Sequence, residues 1–318
     1  MKLTPSIKIR NFYIPGHAAC KRPVFLILFA LIISFCSSSS IKENHLDLNT
    51  LEEYSFPYRL DKPDSEYKLP GYLEEISGLS YYQEAQLACV QDEKAVIYIV
   101  ELRKDLKITP YKFGKDGDFE DIAVLDQTAY VLRNDGRIFR VKDFRRGKNN
   151  VEKFETGLSE INDTEGLAYD PLSNSLLIAC KGLPSIEKDN PYSGSRAVYR
   201  FDLTANELIS EPYLLIDLSN LNNYSDKGSF SKFSAKLAKN LRLTDSETSF
   251  KPSGISIHPL SGDLYMISYI GKLLVVLNKK GEILYINELD DKLFRQPEGI
   301  CFSPEGDLFI SNEGQGGK

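Results

Sequence analysis

The chain has 318 residues, 42% of them hydrophobic and 26% charged, an ordinary globular composition. Its formal net charge of −6 gives no reason to expect nucleic acid or an anionic membrane surface as partner. There are three His, and His17 and His45 precede the expected folded domain, so a histidine-rich metal site or a Ser-His-Asp triad has almost no material.

Residues 1–36 read as a targeting segment. Lys2, Lys8, Arg10, Lys21 and Arg22 precede an apolar run from Val24 to Phe35. That run is about a dozen residues, short of the roughly 20 that span a bilayer as a helix, and it suits the core of a signal peptide. Ile33-Ser34-Phe35-Cys36 resembles the bacterial lipobox, whose Cys is lipidated and becomes the new N-terminus. Cys36 is therefore the expected lipidation site, with an uncleaved anchor, ordinary secretion or a mispredicted start as alternatives. The expected location is the cell envelope, as a membrane-anchored lipoprotein facing the periplasm or the cell surface. Residues 37–53 are polar, carry a serine run and read as a flexible tether. Residues 54–318 are the expected domain.

Five related strings punctuate that domain: Ile76-Ser77-Gly78-Leu79, Glu120-Asp121-Ile122, Glu165-Gly166-Leu167-Ala168-Tyr169, Ser253-Gly254-Ile255 and Pro297-Glu298-Gly299-Ile300. Gly78 to Asp121 is 43 residues, Asp121 to Gly166 is 45, Gly166 to Gly254 is 88 and Gly254 to Gly299 is 45. A period in the forties with several short strands per repeat is the signature of an all-β fold, the β-propeller, in which each repeat is a four-stranded blade. Eighteen Tyr and seventeen Phe against two Met agree with sheets.

In chain order, one of the stretches 58–60 and 66–69 is expected as an outer strand. Blade one then runs from Ile76 through Gln86–Gln91, Ile97–Glu101 and Lys107–Tyr111. Blade two is Ile122–Leu125, Thr128–Leu132, Ile138–Val141 and Val151–Thr156, with Asn134-Asp135-Gly136 as a hairpin turn. Blade three is Gly166–Tyr169, Ser175–Cys180, Ala197–Leu203 and Tyr213–Ile216. The interval of 88 then holds insertions near 183–195 and 219–250. In the second, Phe230, Phe233, Leu237 and Leu241 at spacings of three and four predict an amphipathic helix. Five blades are favoured on this ground, with six as the alternative. Blade four is Gly254–Ile257, Leu264–Ser268, Leu273–Leu277 and Ile283–Ile286. Blade five has Gly299–Phe302 and Leu308–Ser311, lacks a third strand and reads as cut short. Cys89, Cys180 and Cys301 sit in apolar strands and read as small buried hydrophobes. His258 occupies a turn slot held elsewhere by Asp170 and Ser303, which makes it a loop residue rather than a catalyst.

The five ordered strings, over roughly residues 67–315, resemble the SdiA-regulated (YjiK-like) family of bacterial envelope proteins. The resemblance implies a β-propeller exported by Gram-negative bacteria, with lipoproteins among its members, and no established reaction.

Ser77, Glu120, Glu165, Ser253 and Glu298 are equivalent positions at the start of innermost strands, so they are expected to form a ring at one mouth of the channel. Carboxylates meeting there raise one another's pKa, which a bound cation relieves, and hard oxygen ligands suit Ca²⁺ or Mg²⁺. A second tier is expected from Asp92, Glu93, Asn134, Lys181, Asn312 and Glu313, with Lys181 and Arg133 balancing the acids or holding an anionic ligand. The competing structural reading makes the Ser and Glu side chains hydrogen-bonded staples between blades. The function expected is an envelope-anchored, monomeric binding protein for an unknown small molecule or envelope protein, attached to the membrane through its N-terminus. The alternative is a metal-dependent hydrolase, of phosphoesterase or lactonase type, using the same glutamates. No catalytic residue is assigned.

Overall fold

A computed structural model describes residues 6–10, 54–146, 150–187, 189–219, 221 and 250–314. The chain divides into two compact units, one of residues 1–12 with 58–318 and one of residues 13–57. Of the second unit only 54–57 are described, and they carry no regular structure.

The first unit is a five-bladed β-propeller. Blade one is β3 (Ile76–Gln83), β4 (Gln86–Gln91), β5 (Lys94–Glu101) and β6 (Lys107–Lys112). Blade two is β7 (Phe119–Leu125), β8 (Thr128–Arg133), β9 (Ile138–Val141) and β10 (Val151–Phe154). Blade three is β11 (Thr164–Asp170), β12 (Ser175–Cys180), β13 (Ser195–Asp202) and β14 (Glu207–Asp217). Blade four is β15 (Gly254–Ile257), β16 (Leu264–Ser268), β17 (Leu273–Leu277) and β18 (Ile283–Glu288). In each of these four the strands pair in sequence order, antiparallel.

Blade five has a different origin. Its first two strands are β19 (Pro297–Phe302) and β20 (Leu308–Asn312), and its outer strand is β2 (Ser65–Lys68). Its third strand is β1 (Ser6–Arg10), which lies within the stretch read from the sequence as targeting segment. The rest of that stretch, Cys36, the tether and the expected helix over 229–241 lie outside the described residues. Leu218, Ser219 and Leu221, at the start of the second insertion, are helical.

The second strands show why the blades stack. Ser175–Cys180 is buried throughout, and so is Leu87–Gln91. A strand covered on both faces reads as a continuous apolar run rather than an alternating one. Between blades one and two, Ala88, Val90 and Ile97 meet Ile122, Val131 and Phe139. Between blades three and four, Leu177 and Val198 meet Ile255, Met266 and Val275. Each of these side chains larger than alanine contributes about 1.5–3 kcal/mol of burial. Blades four and five join through aromatic rings: Tyr58, His258, Tyr265 and Phe302 lie with centroids 5.0–6.2 Å apart.

His258 keeps its turn position, yet it is buried and bonded. Its Nε2 lies 2.9 Å from the Tyr58 hydroxyl, which donates to the Gly306 carbonyl. Its Nδ1 accepts from the Ser261 N–H. Cys89, Cys180 and Cys301 are buried free thiols, with burial pushing each pKa up.

The innermost strands β3, β7, β11, β15 and β19 pack side by side, and β19 closes the circle against β3. They approach so closely that a side chain has no room. A Cβ on Gly254 would lie 2.3 Å from the Glu298 carbonyl oxygen, and one on Gly78 would lie 2.4 Å from the Asp121 Cα. Glycine is needed here for close approach, not for turning.

Candidate ligand site at the channel mouth

All five ring positions line one cavity of ≈ 340 Å³ where the innermost strands begin. The two serines and the three glutamates then divide their work. Ser77 Oγ donates to the Phe119 carbonyl at 2.7 Å, and Ser253 Oγ donates to the Pro297 carbonyl at 2.8 Å. Each serine thus ties its blade to the backbone just before the next ring residue. Ser253 also hydrogen-bonds the Glu298 carboxyl, while the glutamates meet one another's charges and Lys181 across the cavity.

Glu165 is 8% exposed and accepts from Lys181 Nζ at 2.5 Å. Burial raises its carboxyl to about 7 against the opposing pull of Lys181. Burial alone would lower Lys181, but the neighbouring Glu165, Asp163 and Glu298 hold it above its usual range. Burial, Glu165 and Asp118 push Glu120 up to about 10. Burial, Glu165 and Glu313 push Glu298 well above the ordinary carboxylate range. Asp92 and Glu313, facing each other with Glu75, each rise to about 7, chiefly through burial. The Oδ1 of Asp92 is buried without a hydrogen-bond partner among the described residues.

Of the expected second tier, Asp92, Lys181 and Glu313 line the cavity. The structure does not bring Asn134, Asn312 or Glu93 to it. The Asn134 amide instead donates to Asp118, at the cavity edge. Asn312 is buried at the end of β20, away from the lining. Arg133 pairs with Asp135 and so does not balance the ring acids.

The lining also holds Glu75, Asp118, Lys251 and Gln296. Each lies two residues before a ring position: Ser77, Glu120, Ser253 and Glu298 in turn. Side chains two apart on extended backbone share a face, so the ring position minus two was the signal for them. Tyr269 and Ile270, from the turn after β16, had no such signal.

Seven carboxylates therefore share the mouth with two lysines, but they are spread around it. Among the described residues no three His, Cys, Asp or Glu side chains stand close enough to hold a metal ion. The ring supplies hard oxygen donors of the kind that suit Ca²⁺ or Mg²⁺.

Behind the ring stands Asp121, which takes the slot filled by glycine in the other four blades. It is 1% exposed, and its carboxylate accepts from the N–H groups of Leu79 (3.3 Å), Ile122 (2.8 Å) and Leu167 (2.6 Å). One side chain thereby joins blades one, two and three. Burial pushes this carboxyl well up, and the three N–H donors oppose that shift.

Fold and mouth together define a five-bladed propeller with an acidic chamber at one end of its axis. The chain belongs to the SdiA-regulated family, which it matches over residues 53–315. No curated protein matches it. Among solved structures it is similar to virginiamycin B lyase from Staphylococcus aureus, at 14% identity and a TM-score of 0.42, covering 78% of this chain and 69% of that one. A nidogen/laminin complex gives 14% identity, a TM-score of 0.47 and coverages of 76% and 75%. A gluconolactonase of Xanthomonas campestris gives 10% identity, a TM-score of 0.45 and coverages of 74% and 71%. These likenesses carry nothing about ligand or reaction.

Proposed function

We propose that the chain is an envelope-anchored binding protein whose acidic channel mouth takes a small cationic ligand, an organic amine or a basic side chain. One observation carries this reading: seven carboxylates and two lysines line a single ≈ 340 Å³ chamber, and one of the lysines already belongs to Glu165. The chamber exceeds the size of a bare ion, and the acids are dispersed around it, which suits a ligand with more than one ammonium or guanidinium group. Glu165, Asp92 and Glu313 are held near 7 by burial, so an incoming cation displaces protons. Binding then strengthens as pH rises through neutrality. Attachment through a lipidated Cys36 places the monomeric domain at a membrane surface.

The test is thermal melting of the full chain with a polyamine such as spermidine, and separately with Ca²⁺ or Mg²⁺, at about pH 8 and about pH 5.5. Spermidine is expected to raise Tm more at the higher pH, and Glu120→Gln/Glu298→Gln to abolish the shift. A shift from Ca²⁺ or Mg²⁺ alone, with none from spermidine, makes the ring a metal site and overturns the amine reading. Turnover of a phosphoester or lactone that EDTA removes and Mg²⁺ restores would replace binding by hydrolysis.

A further inference from the structure

Lys181 stands where the second strand of blade three reaches the channel mouth. In four blades the residue after the second strand donates its backbone N–H to the residue two before the ring position: Asp92 to Glu75 at 3.2 Å, Asn134 to Asp118 at 3.1 Å, Lys181 to Asp163 at 2.8 Å and Glu313 to Gln296 at 2.8 Å. The main chain is fixed just beyond Lys181 as well. Gly182 donates to the Asn162 carbonyl at 2.9 Å, and a Cβ on it would lie 2.4 Å from the Ile161 carbonyl oxygen. Lys181 is therefore a flexible arm on a fixed base, and among these four equivalent residues it alone is a cation.

Its ammonium serves more than one acid. The bond to Glu165 at 2.5 Å is its only hydrogen bond among the described residues, although an ammonium carries several donors. Its charge also opposes the raised pKa of Glu120, Glu298 and Glu313. One cation thus offsets four of the seven carboxyls that line the chamber. The pair it forms joins no two blades, unlike the bonds of Ser77 and Ser253. Glu165 on β11 and Lys181 after β12 belong to strands already laddered together, with Thr164 opposite Cys180. The Lys181 side chain is 31% exposed and lines the chamber rather than lying sealed in the protein. What the ammonium does here is what the ammonium of a ligand would do.

We propose that Lys181 is a tethered internal cation seated in an ammonium subsite at Glu165, and that an amine entering the chamber binds there by displacing it. This rests on the amine-binding reading above and adds the contact that regulates it. The contact is autoinhibitory. A ligand amine competes with a group of its own chemistry held at the site, so its apparent affinity is reduced by the fraction of protein in which Lys181 is unseated. The long stem lets the ammonium leave Glu165 while the backbone rung to Asp163 stays in place.

The experiment melts the full chain, unchanged and as Lys181→Ala, at about pH 8 and matched ionic strength. The substitution removes Cγ, Cδ, Cε and the ammonium, which are the atoms of n-propylammonium. That amine is expected to raise the Tm of Lys181→Ala and to leave the unchanged chain alone. The neutral n-propanol should raise neither, and Lys181→Ala/Glu165→Gln should lose the response. Spermidine is expected to half-saturate Lys181→Ala at about a tenfold lower concentration than the unchanged chain. If n-propylammonium acts on Lys181→Ala no better than n-propanol, there is no ammonium subsite and the proposal is overturned. Equal half-saturation by spermidine in both chains overturns the displacement and leaves the amine-binding reading standing. Rescue by n-propylammonium with no spermidine response in either chain does the opposite: the subsite stands and the amine-binding function falls. Should Lys181→Ala fail to fold by itself, refolding from urea decides. Recovery with n-propylammonium but not with n-propanol supports the proposal, and recovery with neither overturns it.

Discussion

At one end of the propeller axis Glu120, Glu165 and Glu298 line a chamber of ≈ 340 Å³; at the other, Leu79, Ile122, Leu167, Ile255 and Phe302 line one of ≈ 330 Å³ with no charged side chain. The same five innermost strands build both, and the glycine-and-Asp121 layer separates them. What differs is position along each strand. Residues before that layer are polar and meet across the mouth, whereas those after it are aliphatic and continue the packing between blades. Space alone therefore does not make a site in this molecule. The chemistry belongs to the first residues of each innermost strand, and the far chamber is what remains when five apolar strand ends splay apart.

Removing the layer between the chambers is the strongest way to break this comparison. Asp121→Ala deprives three backbone N–H groups in three blades of their acceptor. Each orphaned buried donor costs about 1–3 kcal/mol, so a loss of roughly 3 kcal/mol or more is expected in urea unfolding. A loss under about 1 kcal/mol would mean that the blades are joined by their aliphatic layers alone. Next comes Lys181→Met, which leaves Glu165 without its ion-pair partner in a buried position. We expect about 2 kcal/mol of destabilisation, most of it recovered in Lys181→Met/Glu165→Gln, because the cost comes from an unpaired charge rather than from lost packing.

How far the sequence carried this far was set by how local each signal is. Short apolar runs bounded by turn residues place β4, β9, β12, β15, β16 and β17 at their observed limits, and the turn chemistry holds, with Asn174, Gly262 and Gly306 at positive φ. The ring was legible because five equivalent positions recur at one spacing. Asn134 and Asn312 were misplaced because second-strand ends do not share the alignment of first-strand starts: the first turns to Asp118 and the second faces β1. Strand β1 was illegible for another reason. Ser6–Arg10 reads as part of a basic leader, and nothing local marks a strand whose partners, β2 and β20, lie so far along the chain.

A smaller effect sharpens the contrast between the two ends. Asp92 and Glu313 have folded-state values near 7, against ordinary values of 3.8 and 4.5, so between these limits the folded protein holds more protons than the unfolded chain. Their contribution to stability is full below the ordinary values and is lost as pH rises through about 7. Tm is therefore expected to fall between about pH 5 and about pH 8, and Asp92→Asn/Glu313→Gln to flatten that fall. A substitution of the same kind at the other mouth, Ser256→Ala, should leave the pH profile unchanged. If both variants change it alike, the slope does not come from the acidic chamber.

The smallest effect separates the staples from the acids within the ring itself. Ser77→Ala removes one hydrogen bond to the Phe119 carbonyl and should cost about 1 kcal/mol. It should leave the response of Tm to spermidine intact, since Ser77 Oγ is engaged with the neighbouring blade rather than with the chamber. Glu298→Gln should do the reverse, weakening that response while raising Tm slightly at about pH 8, because it removes a buried carboxyl that burial already keeps protonated beyond its ordinary range. The two positions are equivalent by repeat and adjacent around the circle, so their responses compare like with like. Loss of the spermidine response in Ser77→Ala would show that the ring acts as one hydrogen-bonded unit in which staple and ligand group cannot be told apart.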